Sequence, residues 1–429
     1  MRIKEEFKRS GDFWLPSVPD RVLPGTLSIS DGGDIELEIA GLFSNDEMET
    51  LLNDDWQSIE RIVGHIEKDG LVTLDDCYYK TGTINLIGGR SKSLIHVSRV
   101  FTGVAYDEGT CPLFNTLTFS VEGIDEWVGI SGIKVGLQTK ENTATISYQQ
   151  PTDISLYLNN NMQLLIVFDW KFRGSPVTKE AGISQKTYFK LVSKEARELA
   201  DFVFVVHKIT TLLCFAIDKA VSLDSMSATA DNLRQDFGSG ETRLVPVNIY
   251  YSSRPYSKDE PKIHQHDMLF GFGQIQGDAE RKINDWIKAY EYLDPTFDLY
   301  FSAQTGVEQY LEVKFLTLAQ GLEAFHRRKN GGSVSFGERI ECIIKPFEAI
   351  IGNQTTREKL ISRVVNTRNY LTHYDSSLKS KTARDESLWS LCLKMELLFQ
   401  LHFLQLIGFS QSEIGSIITN YKQLRRKLQ

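Results

Sequence analysis

The sequence predicts an α+β protein of more than one domain. An antiparallel β-sandwich or barrel-like domain comes first, and an all-α helical bundle comes last. Alternating and β-branched runs fill the stretch from about residue 24 to residue 174, and apolar residues recur at helical spacing from about residue 305 to the end. The length of 429 residues also exceeds what one ordinary hydrophobic core supports.

These observations predict three regions along the chain. Residues 1–190 form the β-rich domain, residues 191–300 form a mixed helical connector, and residues 301–429 form the helical bundle. The stretch SSRPYSKDEPKIHQH, residues 252–266, combines two prolines with many charges, so we expect a linker there.

The β-rich region consists of short runs such as TLSIS, DIELEIAGLF and TATISYQQ, separated by clusters of Gly, Asn and Asp. This even spacing of turn signals is typical of antiparallel sheets. The period then changes in SKEARELADFVFVVHKITTLLCFAID, where we expect a helix with Ser193 as its N-cap and Glu195 in its first turn.

Two segments, Leu199–Ile217 and Leu388–Phe409, are apolar enough to raise the question of a membrane. Charged residues interrupt both segments, and neither offers about 20 uninterrupted apolar residues. We therefore expect two buried helices and no membrane partner.

The final region predicts four bundle helices followed by a short basic helix. An earlier amphipathic helix is expected in DAERKINDWIKAYEYL, and Asn330-Gly331-Gly332 is expected to end the first bundle helix. The four bundle helices are expected at about Val307–Arg328, Phe336–Ile351, Thr355–Tyr374 and Arg384–Gly408.

The formal net charge of −8 conceals a difference between the two ends of the chain. From residue 305 onward there are 18 Lys and Arg against 12 Asp and Glu, whereas the remainder holds 30 basic and 44 acidic residues. A basic end suits a polyanionic partner, although a solvated helical surface explains it equally well. Five scattered cysteines without metal spacing and the lack of a secretory signal favour a cytoplasmic protein.

The candidate site is RNYLTH on the third bundle helix, where Arg368 and His373 enclose four residues. At about 100° per residue, this pair lies roughly 140° apart around the helix, so the two side chains flank a shared surface. Asn369 lies four residues before His373 and is expected to orient the imidazole by a hydrogen bond.

These residue types suit RNA cleavage. A 2′-hydroxyl that attacks the neighbouring phosphate needs a proton acceptor near neutral pH, which histidine supplies. It also needs a cation for the developing charge on phosphorus, which the planar fork of arginine supplies. We expect no metal and no cofactor in this chemistry.

The spacing alone is weak, because an arginine and a histidine at a helix end are more often simply solvated. Arg90 and His96 lie at similar spacing in strand-like sequence, and we attribute that pair to chance. The basic bundle around Arg368 and His373, and the preceding long helix with Glu323, favour a site there.

The motif RNYLTH resembles the HEPN superfamily, and LAQGLEAFHRRKN resembles the first helix of its ApeA-like branch. FWLPSVPDRVLPGTLSISDGGDIELEIAGLF is similar to the β-rich N-terminal domain of ApeA proteins. This second similarity rests on Trp14, Pro24, Gly25 and Gly41. The resemblance covers both ends of the chain, and it is least clear between about residues 175 and 302.

The resemblance implies a bacterial anti-phage ribonuclease of the abortive-infection type. It implies that two bundles pair in a homodimer or higher oligomer, forming one composite groove, and that the RNA is transfer RNA. His373 would then act as general base or acid, Arg368 as phosphate clamp and Asn369 as an orienting residue. The candidate substrate-binding residues are Glu323, Tyr374, Arg327 and Arg328.

The sequence also permits other interpretations of these residues and of the function. Arg327 and Arg328 also suit the C-terminal end of a helix whatever the function, because positive charge is favourable there. The protein could be a noncatalytic ligand sensor or RNA binder whose bundle serves dimerisation. A metal-dependent hydrolase centred on His264, His266 and Asp267 is a third hypothesis, although a solvated loop fits that cluster better.

We also expect the acidic N-terminal domain to restrain the nuclease. It would recognise a phage-derived trigger and cover the basic groove until then.

Overall fold

The computed structural model describes residues 1–43, 58–83, 92–175, 177, 179–236, 238, 241–305 and 310–428. The chain forms two compact units, and neither is one continuous segment. The first unit comprises residues 1–122, 131–206 and 222–258, and the second comprises 123–130, 207–221 and 259–429. One unit boundary thus falls inside the segment 252–266, and the three-region division made from the sequence stays a prediction.

The first unit consists mainly of β-strands. Their bounds are β1 Phe7–Leu15, β2 Val18–Ile29, β3 Ile35–Ile39, β4 Ser58–Ile66, β5 Gly70–Thr83, β6 Lys92–Thr102, β7 Leu113–Val121, β8 Ile133–Gln138, β9 Thr143–Tyr148, β10 Ile154–Tyr157, β11 Met162–Ser175, β12 Glu180–Glu198, β13 Leu223–Thr229, β14 Arg234–Asp236, β15 Thr242–Leu244 and β16 Val247–Tyr251.

Six of these strands close into an antiparallel barrel in the order β1, β2, β3, β6, β5, β4. The ring is closed because β4 pairs with both β1 and β5, and β5 pairs with β6. Outside this ring, strand β6 also pairs with β16. From β16 the sheet continues through β13, β7, β12 and β11 to β10. The predicted antiparallel, barrel-like N-terminal domain is therefore confirmed.

The barrel core follows directly from the alternating sequence. In β3, Ile35, Leu37 and Ile39 are almost fully buried, whereas Glu36 and Glu38 point outward. Successive side chains of a strand face opposite sides of the sheet, so this five-residue run presents three apolar side chains to the interior. Burial of each contributes roughly 1.5–3 kcal/mol to folding.

The helix predicted to begin at Ser193 starts six residues later, at Leu199, so Ser193 and Glu195 belong to strand β12. Ser193 pairs with Met162, and its hydroxyl accepts a hydrogen bond from Arg197 Nε at 3.0 Å. Long-range pairing with β11 and β7 outweighs the local helical signal here.

Helices dominate the second unit. Their bounds are α1 Ile124–Val128, α2 Leu199–Ile217, α3 Phe272–Ile275, α4 Ala279–Thr305, α5 Leu311–Asn330, α6 Phe336–Ile344, α7 Glu348–Ile351, α8 Gln354–His373, α9 Asp385–Leu406, α10 Gln411–Asn420 and α11 Lys422–Leu428. Helix α2 begins in the first unit and ends in the second.

The four predicted bundle helices are present, with two differences. The first is described from Leu311 onward, because the predicted start at Val307 lies outside the described residues. The second is interrupted by a 3-10 turn at Lys345–Phe347, which separates α6 from α7. Pro346 accounts for the break, since proline lacks the amide hydrogen that a continuous helix needs.

Aromatic side chains form the centre of the second unit. Trp286 on α4 stacks on Phe215 with ring centroids 5.3 Å apart, and its edge meets Phe403 on α9 at 5.8 Å. Its indole nitrogen donates a hydrogen bond to the Lys208 carbonyl at 2.8 Å. These contacts fix α9 against α4 within this unit.

Both apolar segments noted in the sequence are buried helices. Among the described helices, only α2 is long and apolar enough to cross a membrane, and 72% of its apolar window is buried inside the protein. Helix α9 is buried along most of its length. Burial to this extent is typical of a helix in a protein core.

Candidate active site

Helix α8 presents both residues of the RNYLTH motif. Its N-terminus is capped by Asn353, whose side chain accepts a hydrogen bond from the Thr356 amide at 3.0 Å. Buried Leu360, Val364 and Thr367 hold one face of the helix against the bundle. The last two turns are therefore anchored, and Arg368 and His373 project from them.

The Arg368 guanidinium lies in a defined environment between α5, α6 and α8. Its Nη1 donates to Asn369 Oδ1 at 3.1 Å, and its Nη2 lies 3.5 Å from Glu323 Oε2. The guanidinium carbon is 5.3 Å from the centre of the Phe336 ring, in cation–π range. With 31% of its side chain exposed, Arg368 is held in position and still reachable from solvent.

Glu323 connects two of the predicted arginines. Its Oε1 accepts a hydrogen bond from Arg327 Nη2 at 2.8 Å, while Oε2 faces Arg368. A carboxylate between two guanidinium groups orients both and lowers their joint positive charge. The structure thus brings Arg368, Asn369, Glu323 and Arg327 into one cluster.

His373 is the last residue of α8 and its side chain is exposed. Within the described part of the chain, its ring has no hydrogen-bond or ion-pair partner. The predicted hydrogen bond between Asn369 and His373 is not formed, and the Asn369 carbonyl oxygen accepts from Arg368. His373 therefore stands open to solvent at the end of the helix.

Tyr374 ends the helix directly after His373. It adopts the left-handed conformation with φ of 52°, and its amide donates to the Tyr370 carbonyl at 2.6 Å. Its side chain is 71% exposed, with its ring 5.6 Å from that of Tyr370. Arg328, the remaining predicted residue, is exposed near the end of α5, beyond the Glu323 cluster.

A buried pair stabilises the turn that leads into α6. Arg339 Nη1 lies 3.0 Å from Nδ1 of buried His326, and Arg339 Nη2 donates to the Gly332 carbonyl at 3.0 Å. Burial and the adjacent Arg339 lower the pKa of His326, so the neutral ring accepts this bond. The turn fixes the start of α6, which carries Phe336 beneath Arg368.

Sequence reasoning did not find Phe336 or Tyr370. Phe336 lies inside the capping box formed by Ser335 and Glu338, so the sequence indicated its place at the start of a helix. Its contact with Arg368 depends on how α6 packs on α8. The spacing of Tyr370 and Tyr374 at i and i+4 was a signal for an aromatic pair.

The other residues weighed in the sequence lie elsewhere. The rings of His264 and His266 stack 5.5 Å apart, and His266 is 81% exposed. In the described ranges, no group of three or more His, Cys, Asp or Glu side chains is placed to hold a metal ion. His96 lies on strand β6, and Arg90 lies outside the described residues.

Two family models match the chain. The model described as ApeA N-terminal domain 1 matches residues 8–286, and the model described as Apea-like HEPN matches residues 316–413. The chain belongs to the ApeA-like HEPN family. Comparisons with curated proteins and with solved structures gave no match.

Family membership confirms both resemblances drawn from the sequence, and it extends the N-terminal match across most of the middle region. ApeA-like HEPN proteins are anti-phage defence proteins, and HEPN domains are typically ribonucleases. All the predicted site residues, from Glu323 to Tyr374, lie inside the HEPN match.

Proposed function

We propose that this ApeA-like HEPN protein is an endoribonuclease that cleaves RNA by transesterification. The observation that carries the proposal is the pair on α8. Arg368 is positioned by Asn369, Glu323 and Phe336, and His373 is exposed at the helix end.

In the proposed reaction, the ribose 2′-oxygen attacks phosphorus while His373 takes its proton. A bond forms between the 2′-oxygen and phosphorus, and the bond from phosphorus to the 5′-oxygen breaks. The products are a 2′,3′-cyclic phosphate and a 5′-hydroxyl, whose oxygen receives a proton. Arg368 supplies two parallel donors to the nonbridging oxygens as negative charge develops there.

This chemistry needs a base for the 2′-hydroxyl and an acid for the 5′-oxygen. A second copy of the chain would supply the second imidazole, so we propose a homodimer in which the two α8 ends meet. The exposure of His373 and Tyr374 leaves that end of the helix accessible to another chain. No step calls on a metal ion, and the cytoplasm is the compartment where such an enzyme would meet cellular RNA.

Transfer RNA is the first substrate to test, since the family resemblance implies it. Purified full-length protein is incubated with transfer RNA and with total RNA in excess EDTA, and fragment ends are identified. Wild type should give 2′,3′-cyclic phosphate ends, and His373→Ala should give about 10²–10⁴-fold fewer in the same time. The matched control is His266→Ala, which removes another exposed histidine and should cleave like wild type.

Cleavage by His373→Ala at the wild-type rate, or cleavage that stops in EDTA, would overturn the proposal. Bound metal together with activity lost on substitution of His264 or His266 would instead support the hydrolase hypothesis. In cells, toxicity of the overproduced wild type should be relieved by Arg368→Ala.

One contact favours a second candidate function, RNA binding or ligand sensing without cleavage. Glu323 Oε2 lies 3.5 Å from Arg368 Nη2, so this donor of the guanidinium faces a carboxylate, which competes with a reacting phosphate. Equal RNA affinity for wild type and His373→Ala, with no cleavage by either in the presence of phage-derived triggers, would support this alternative.

A further inference from the structure

A groove of about 290 Å³ opens on the second unit between α8 and α9. Leu360, Leu391 and Leu397 form its apolar floor, and all three are buried. Ligand pockets usually start near 300 Å³, so the groove has room for one nucleotide but not for a stack of several.

The rim of this groove is basic. Lys359 and Arg363 reach it from α8 and Lys394 from α9, together with the hydroxyls of Ser387 and Ser390. None of the lining residues is acidic. Over the described ranges, neither Lys359 nor Arg363 has an ion-pair partner.

The contrast with the neighbouring basic residue of α8 is informative. Arg357 lies 3.5 Å from Glu348 and donates a hydrogen bond to the Gly352 carbonyl at 2.6 Å. The Arg357 guanidinium is therefore paired within the protein, whereas the charged groups of Lys359 and Arg363 line the groove. Cations over an apolar floor fit a ligand with a flat apolar ring and a negatively charged group.

The groove and His373 lie on the same side of α8, whereas Arg368, nine residues from Lys359, lies on the opposite side of the helix. Lys359, Asn366 and His373 are spaced by seven residues, and such positions drift by only about 20° per step around a helix. Lys359 and His373 are therefore nearly in line, about 21 Å apart along the helix axis at 1.5 Å per residue. Ser362, Arg363 and Tyr370 fall in the same strip, which contains no carboxylate.

We propose that this groove is an RNA subsite that holds one unpaired nucleotide of the substrate, several nucleotides from the bond that is cleaved. The inference rests on the proposed ribonuclease function and deepens it. The base would lie on the leucine floor and its phosphate between Lys359 and Arg363. Only an unstacked base can enter such a floor, so the substrate region is single-stranded.

The test measures RNA binding in a chain that cannot cleave. Full-length His373→Ala protein is titrated into labelled single-stranded RNA long enough to span α8, at several salt concentrations. Lys359→Ala/Arg363→Ala is compared with the control pair Lys288→Ala/Lys345→Ala, which removes the same charge from exposed sites outside the groove. Thermal unfolding of each variant verifies that it is folded.

Each phosphate contact with a single strand contributes about 0.7 to the slope of log affinity against log salt. Since Lys359 and Arg363 hold one phosphate between them, the groove pair should lower the slope by about 0.7 and weaken binding roughly fourfold at physiological salt. The control pair should leave both nearly unchanged. Equal losses of slope and of RNA affinity in the groove variant and the control variant would overturn the subsite.

A second experiment measures the binding of free uridine monophosphate to the full-length protein. If it binds at the groove while RNA affinity is unaffected by Lys359→Ala/Arg363→Ala, the site belongs to a free nucleotide and the RNA assignment is wrong. A protein that binds no RNA at any salt concentration would instead contradict the proposed function itself.

Discussion

The Glu323 carboxylate on α5 lies 3.5 Å from the Arg368 guanidinium on α8. Both side chains are partly exposed, at 21% and 31%. Such a pair is worth about 0.2–1 kcal/mol, little enough for a phosphate to displace it. The contact therefore orients Arg368 in the absence of RNA and competes with RNA for it.

Glu323→Gln should tighten RNA binding by up to about fivefold, because the competing charge is removed while the side-chain size is kept. Fluorescence anisotropy in the His373→Ala background measures this directly. The matched control is Glu348→Gln, which removes a carboxylate at the same 3.5 Å distance from Arg357. Weaker binding by Glu323→Gln would show that the carboxylate is needed to position Arg368.

Tyr374 combines a backbone role with a predicted role in RNA binding. It stands at φ of 52°, where glycine is favoured, and its ring is 71% exposed. Tyr374→Gly should raise the free energy of unfolding by up to about 1 kcal/mol. It should also weaken RNA binding by about 1–3 kcal/mol through the loss of a stacking surface.

Chemical denaturation and RNA titration measure the two effects separately. Asp218→Gly is the control, because Asp218 has a similar φ of 56° but accepts hydrogen bonds from Gln400, Tyr421 and Lys427. That substitution should destabilise the protein. Unchanged RNA affinity in Tyr374→Gly would remove Tyr374 from the RNA-binding surface.

His402 should make stability depend on pH. Its Nε2 lies 2.9 Å from the Ile343 carbonyl, between the rings of Phe325 and Phe347, and burial lowers its pKa from 6.5 to about 4. The unfolded chain therefore binds the proton first as pH falls. The stability present above pH 6.5 decreases toward pH 4, by about 3 kcal/mol from this residue.

His402→Gln keeps a donor for the Ile343 carbonyl and removes the titration. Denaturant unfolding at intervals from pH 7 to pH 4 should give a flatter dependence for this variant than for wild type. His266→Gln, at an exposed histidine, should follow the wild-type curve. Parallel curves for His402→Gln and wild type would show that His402 is not responsible.

The sequence predicted the structure correctly where a pattern depends only on residues close together along the chain. The alternation in IELEI specifies which side chains of β3 are buried, and helical spacing specifies α5, α8 and α9. The start of the helix after β12 could not be predicted, because Ser193 is held in a strand by Met162, thirty-one residues away. Local helix signals cannot report such a pairing.

The same distinction between local and long-range signals applies to the candidate site. Arg368 and His373 were identified from spacing and context within one helix. The contacts of Arg368 with Glu323 and Phe336 depend on the packing of three helices. Asn369 was assigned to His373 from i, i+4 geometry, but in the folded helix its side chain lies on the adjacent Arg368.

The most direct test of the central claim is chemical rescue of the missing imidazole. Initial rates of RNA cleavage in excess EDTA are measured for wild type and His373→Ala, with and without added imidazole. Loss of a general base should slow cleavage by about 10²–10⁴-fold, and imidazole should restore part of that rate and the same 2′,3′-cyclic ends. Cleavage by His373→Ala at the wild-type rate would contradict the assignment of His373 as the catalytic base.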